Sequence, residues 1–97
     1  MPTTNYEITY IVKANLEDAD VDTRVENYAE MLRKEGATIG EIEKLGRRRL
    51  AYEIDDLREG YYVTMKFTSE AAHAKELQRQ MKLDENVMRE LLLNLDK

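Results

Sequence analysis

Apolar residues along this 97-residue chain change their spacing from one segment to the next, and that succession limits the folds available to it. Two segments carry apolar residues three or four positions apart, as amphipathic helices do: Leu16–Glu35 and the stretch that follows Ser69. Four segments alternate apolar and polar residues, as strands do: Tyr6–Val12, Thr38–Ile54, Tyr61–Phe67 and Val87–Leu95. The predicted order of elements is therefore β-α-β-β-α-β.

This order predicts an α+β domain of the ferredoxin-like split βαβ type. Short connections and right-handed crossovers give a four-stranded antiparallel sheet with both helices on one face. The expected spatial order of the strands is 4-1-3-2, which leaves the long second strand at an edge. Residues 1–97 are expected to form a single domain, because a chain of this length can bury one modest core.

Individual residues predict where the helices begin and end. Gly36 follows the first helix and is placed to end it in the left-handed conformation. Asn15 or Asp18 is the expected cap at the start of that helix, and Thr68 or Ser69 is the expected cap of the second.

The second strand is long and irregular. By parity, Leu50, Tyr52 and Ile54 share one face of it with Ile42, whereas Ile39 and Leu45 have the opposite parity. Gly40 and Gly46 mark the places where a bulge is expected to reset the pleat. Residues 55–60 are polar and contain a glycine, so we expect them to form the turn of a hairpin.

Composition excludes several classes of function. The chain has no cysteine and a single histidine, which excludes thiolate and multi-histidine metal sites. It has no glycine-rich phosphate loop and no nucleophile–base pair, so we expect neither enzyme activity nor a cofactor. No stretch approaches the roughly 20 apolar residues of a membrane span, and the first five residues lack the features of a secretory signal. We expect a soluble intracellular protein.

Three consecutive arginines, Arg47, Arg48 and Arg49, interrupt the second strand of a chain whose net charge is -5. Guanidinium groups suit phosphate and carboxylate, and strand alternation directs Arg48 to the face opposite the other two. One interpretation is an edge strand kept soluble by charge. The other is contact with RNA phosphates, which depends on local cations rather than on net charge.

Tyrosines on the predicted strands suggest a second kind of contact, because bases stack on tyrosine side chains in RNA-binding sheets. Tyr62 faces away from the apolar residues of its strand, which makes it the candidate for the open face of the sheet. Tyr6, Tyr10, Tyr52 and Tyr61 are instead expected in the core or at its edge.

Four segments carry a resemblance to a known family. They read Asn-Tyr-Glu-Ile at residues 5–8, Glu-Lys-Leu-Gly-Arg-Arg-Arg-Leu-Ala-Tyr-Glu-Ile at 43–54, Gly-Tyr-Tyr-Val at 60–63, and Asp-Glu-Asn-Val-Met-Arg at 84–89. In this order they resemble the bacterial small-subunit ribosomal protein number six. The segment around the arginines is the most specific of the four.

The resemblance implies a place in the small subunit of a bacterial or organellar ribosome, cytoplasmic in the bacterial case, and binding to the central domain of its 16S RNA. It also implies a basic partner, small-subunit ribosomal protein number eighteen, with which the family binds RNA as a heterodimer. Arg48 and Arg49 occupy the paired arginine positions of the family motif, and Arg47 fills a variable one. We expect Arg48, Arg49 and Arg89 to contact RNA or the partner, with Tyr62 on the open face and Arg47 as an optional addition. Neither DNA nor membrane is an expected partner.

The alternative interpretation is a small ferredoxin-like regulatory or protein-interaction domain. Such a domain uses its sheet to dimerise or to hold a small ligand. It predicts self-association through an edge strand and no sedimentation with ribosomes.

Overall fold

The computed structural model describes residues 2–54 and 56–97 and confirms the predicted order of elements. Its four strands form one antiparallel sheet in the order β2-β3-β1-β4, so β2 and β4 are the edges. The strands are β1 (Thr4–Lys13), β2 (Thr38–Ile54), β3 (Leu57–Ser69) and β4 (Val87–Asn94), and the helices are α1 (Asp18–Lys34) and α2 (Ala71–Leu83).

The core lies between the two helices and one face of the sheet. Every second residue of the central strands β1 and β3 faces the helices, as strand alternation requires. Burial of such a side chain contributes about 1.5–3 kcal/mol, which is why the apolar spacing determines where each element lies. The largest fully buried apolar side chains are Ile8, Tyr10, Val12, Val21, Leu32, Val63, Met65, Phe67, Leu77 and Met81.

Gly36 ends α1 as predicted. Its φ of 87° lies in the left-handed region, where a side chain is strained. The N–H of Gly36 donates to the carbonyl of Arg33, and the N–H of Ala37 donates to the carbonyl of Leu32. These two bonds satisfy carbonyls that the last turn of a helix otherwise leaves without donors.

The predicted helix caps were wrong. The N-cap residue of α1 is Glu17 rather than Asn15 or Asp18, and that of α2 is Glu70, and neither makes a side-chain capping bond. The two residues expected to cap α2 belong to β3, which continues through Ser69. They extend the ladder because β1 supplies pairing partners as far as its own first residue.

Bulges divide β2 at the predicted glycines. The register with β3 shifts between Ile39 and Ile42 and again between Lys44 and Gly46, and Gly46 has a φ of 90°. Each shift adds an unpaired residue and changes which face the following side chains occupy. Alternation therefore predicted only parts of this strand correctly.

The predicted turn over residues 55–60 was too long. Residue 55 lies outside the described residues, but β3 already begins at Leu57, and Gly60 is paired with Arg48 inside the hairpin. A Cβ at Gly60 would overlap Cγ2 of Ile11 and lie 3.4 Å from Cδ2 of Leu50. This glycine therefore permits a close approach of two side chains and is not a turn residue.

A carboxylate links α1 to the connection between α2 and β4. Asp84 accepts hydrogen bonds from Nε and Nη2 of Arg24 at 2.9 and 3.1 Å, and from Oη of Tyr28 at 2.7 Å. The backbone N–H of Asn86 donates to it at 2.9 Å. Burial by itself raises the pKa of Asp84, but the bonds from Arg24, Tyr28 and Asn86 outweigh it, so the pKa lies below its usual value.

Replacing Asp84 tests this link. Asp84→Asn is expected to lower the free energy of unfolding at pH 7 by roughly 1–3 kcal/mol, because hydrogen bonds to a charged group are lost. A depressed folded pKa contributes stability above the unfolded pKa and loses it as the pH falls through the folded pKa. Urea denaturation at pH 7 and pH 3 should therefore show the difference between the two proteins shrinking in acid.

Glu85→Gln is the matched control for this variant, since it removes the same charge from an exposed neighbour. It is expected to change the free energy of unfolding by less than about 0.5 kcal/mol. Equal stability of the parent chain and Asp84→Asn at pH 7 would contradict the role given to Asp84.

Candidate nucleic-acid interface

The three arginines of β2 point in different directions. Pairing with β3 places Arg47 opposite Tyr61 and Arg48 opposite Gly60. The helices cover the face of the sheet on which Tyr61 lies, so Arg47 is on the helix side and Arg48 is on the open face. Arg49 pairs with Glu59 and returns to the side of Arg47.

Arg47 is held by contacts inside the chain. Its Nε donates to the carbonyl of Ala14 at 3.0 Å, and its Nη2 donates to the carbonyl of Leu16 at 2.8 Å. Its Nη1 forms an ion pair with Asp18 at 2.8 Å, and its guanidinium lies 5.3 Å from the centroid of the Tyr61 ring. These contacts join the edge strand to the loop between β1 and α1, so Arg47 organises the scaffold.

Arg48 and Arg49 are exposed, and neither has an ion-pair partner within residues 2–54 and 56–97. Arg89 also lacks a carboxylate partner in this part of the chain. The remaining five arginines all have one: Arg24, Arg33, Arg47, Arg58 and Arg79. Three guanidinium groups therefore keep their charge available to an external anion.

Leu50 anchors the end of β2 on the open face. It is 7% exposed, and its Cδ2 lies close to Gly60, whose missing Cβ leaves room for it. Ile11 of β1 approaches Gly60 from the same side. This small apolar contact holds the far end of the hairpin against the open face of the sheet.

Tyr52 lies on the open face, and its expected place in the core or at its edge was wrong. It is 63% exposed, because it extends beyond the apolar contact that Leu50 fills, in the part of β2 where the pairing with β3 is irregular. Nη2 of Arg89 donates to Oη of Tyr52 at 3.2 Å, and the guanidinium carbon lies 5.9 Å from the ring centroid. A residue of β2 therefore meets a residue of β4 across the open face.

The predicted site residues form two groups. Tyr62 pairs with Ile11 and is half-buried on the open face, the same face as Arg48 and Arg89. Arg49 lies on the other side of β2, in a shallow notch that it shares with Arg58. The structure thus brings Arg48, Tyr62 and Arg89 to one face and leaves Arg49 at its margin.

The open face also carries a row of exposed leucines that sequence reasoning did not single out. Leu91, Leu93 and Leu95 are 57%, 43% and 46% exposed at the β4 edge. A register irregularity near the start of β4 lets Val87 pack against the core while these leucines face outward. Their common parity was visible in the sequence, but the side on which they lie depends on that irregularity.

Metal ions and membranes are two further possible partners for the described part of the chain. No three of its histidine, aspartate and glutamate side chains are grouped to hold a metal ion. No helix over residues 2–54 and 56–97 is both long enough and apolar enough to cross a membrane.

Comparison with known proteins identifies the family. The family model for ribosomal protein S6 matches residues 5–94. The chain belongs to the ribosomal protein S6 family. The small ribosomal subunit protein bS6 of Lactobacillus acidophilus is 42% identical over 98 residues, covering 100% of each chain. The protein of the same name from Desulforamulus reducens is 38% identical over 89 residues, covering 92% of this chain and 94% of that one.

A solved structure agrees with the fold. The crystal structure of 30S ribosomal protein S6 from Thermotoga maritima superposes with a TM-score of 0.88 at 22% sequence identity, covering 96% of this chain and 88% of that one. Membership of the family gives the chain a structural, non-enzymatic role in the bacterial small ribosomal subunit, and so a cytoplasmic, ribosomal location.

The different contacts of the arginines predict different effects on stability. Arg47→Ala is expected to lower the free energy of unfolding by about 1 kcal/mol, because two loop carbonyls and Asp18 lose their partner. Arg48→Ala, the matched control, is expected to stay within about 0.5 kcal/mol of the parent chain. Urea denaturation measures both, and equal effects of the two substitutions would contradict the structural role of Arg47.

Proposed function

We propose that the chain binds the central domain of small-subunit (16S) ribosomal RNA through an arginine surface made of Arg48, Arg49 and Arg89, with Tyr62 beside it. We further propose that a basic protein, small-subunit ribosomal protein number eighteen, shares the RNA contact. The observation that carries the proposal is the selective pairing of the arginines: those three lack carboxylate partners within the described residues, and the other five have them.

Pairing decides which cations can receive a phosphate. A phosphate that approaches Arg33 must compete with Glu26 and Glu30, which already accept its hydrogen bonds. A phosphate that approaches Arg48 displaces only water, so the charge-assisted bond that it forms is a net gain. The three members of the arginine surface also fall in the segments that resemble the family, at residues 43–54 and 84–89.

The arginine surface has only three cations, which is why we expect a basic partner to be needed. Each phosphate contact contributes about one unit to the slope of log affinity against log salt, so three contacts support only weak binding at physiological salt. A net charge of -5 repels the RNA elsewhere. A basic partner reverses that repulsion and adds phosphate contacts of its own.

The leucine row, made of Leu91, Leu93 and Leu95, is the proposed binding surface for that partner. Three neighbouring leucines on an open sheet face form an apolar surface of the kind that protein interfaces bury. The acidic charge of the chain attracts a basic protein and accelerates its association.

Arginine substitutions test the RNA contact. Arg48→Ala and Arg49→Ala are each expected to weaken binding of the chain, in complex with its partner, to a central-domain RNA fragment. Each should also reduce the magnitude of the salt slope by about one, because one phosphate contact is lost. The measurement is a binding isotherm repeated over a salt series.

Lys75→Ala is the control for these variants, because it removes an exposed cation from α2 on the helix side of the sheet. It is expected to leave both the affinity and the slope unchanged. An unchanged slope in both arginine variants would remove the phosphate contacts from the proposal.

Leucine substitutions test the binding surface for the partner. Leu91→Gln combined with Leu93→Gln is expected to weaken binding of the basic partner about tenfold or more in titration calorimetry without RNA, because apolar burial is lost. Leu83→Gln is the matched control, since Leu83 is 65% exposed at the end of α2. Equal effects of the control and the double variant would place the partner elsewhere.

A further inference from the structure

Tyr52 is the one exposed aromatic side chain among residues 2–54 and 56–97, and its ring belongs to neither the arginine surface nor the leucine row. Leu50, two residues earlier, is buried against Gly60 on the open face of the sheet. The ring lies on the open face, where Arg89 contacts it.

We propose that Tyr52 provides a stacking surface for an unpaired base of the RNA. This inference rests on the proposed function and names the part of the RNA that the arginine surface receives: a nucleotide in a loop or bulge whose base is turned out of the helix. A base inside an A-form helix already has both faces stacked, so only such a nucleotide can place a face on the ring.

Arg89 orients the ring before any RNA binds. The hydrogen bond from its Nη2 to Oη of Tyr52 restricts the rotation of an otherwise exposed side chain. A side chain that is ordered in advance loses less entropy on binding, which favours stacking. The guanidinium carbon lies over one face of the ring, 5.9 Å from its centroid, so a base would stack on the opposite face.

The charges around Tyr52 favour a nucleotide over an apolar protein side chain as its occupant. Arg89 on one side and Arg48, four residues earlier on the same face of β2, both lack carboxylate partners in the described chain. An exposed aromatic ring in contact with one such cation, on a face that carries a second, is an arrangement that proteins use for single-stranded nucleic acid.

Substitution of the ring separates stacking from charge. Tyr52→Leu, in complex with the basic partner, is expected to lose about 5- to 150-fold in affinity for the central-domain RNA fragment, with no change in the salt slope. Tyr52→Phe keeps the ring and loses only the bond to Arg89, so it should stay within about threefold of the parent chain. Because the side chain is exposed, both variants should unfold at the parent's urea midpoint.

Fluorescence gives a second readout that does not depend on affinity. The chain has no tryptophan, so the Tyr52→Trp variant carries a single indole at this position. Addition of the RNA fragment to its complex with the partner should quench the emission, because a base stacks on the indole. A variant that binds the RNA with undiminished emission would overturn the proposal.

Three other outcomes would also overturn the stacking proposal, and each shows which part of it is wrong. Undiminished RNA affinity in Tyr52→Leu, while Arg48→Ala weakens binding, rejects stacking and leaves the proposed function standing. Weaker binding of Tyr52→Leu to the partner protein without RNA makes Tyr52 a protein contact. No RNA binding by the parent complex rejects both stacking and the proposed function.

Discussion

The open face of the sheet depends on the close approach of two apolar side chains, Ile11 and Leu50, at Gly60. The absence of a side chain there lets Ile11 of β1 and Leu50 of β2 come close over the backbone of β3. Because Leu50 is buried at that point, the end of β2 remains against the sheet, and Tyr52 reaches Arg89 on β4. The contact between Tyr52 and Arg89 joins the two edge strands of the sheet across the open face.

Ion pairs with carboxylates determine which arginines remain available to an external anion. The chain is acidic overall, and most of its arginines are neutralised locally by carboxylates on the same or a neighbouring element. Arg47 shows how local the distinction is. It is adjacent in sequence to Arg48, yet its donors are used by the loop before α1, because strand alternation turns it toward the helices. A run of three arginines thus contains one scaffold residue and two that remain available.

Much of the fold could be predicted because it depends on spacing. The alternation of β1 and the helical spacing of α1 required a layer of helices on one face of a sheet, and Gly36 was a local stop signal that needs no tertiary contact. The caps could not be predicted in this way. Residues suited to capping preceded α2, but β1 offered them ladder partners, and that competition involves a segment distant in sequence.

The sequence by itself determined the order of elements, the four-stranded sheet and the segments that resemble the ribosomal protein S6 family. These depend on residue periodicity and local motifs, which act over a few neighbouring positions. Only the tertiary structure decided which arginines are paired, that Gly60 is a point of contact, and that Tyr52 faces solvent beside Arg89. Each of these depends on residues far apart in the chain, whose approach is set by bulges and by the packing of side chains across strands.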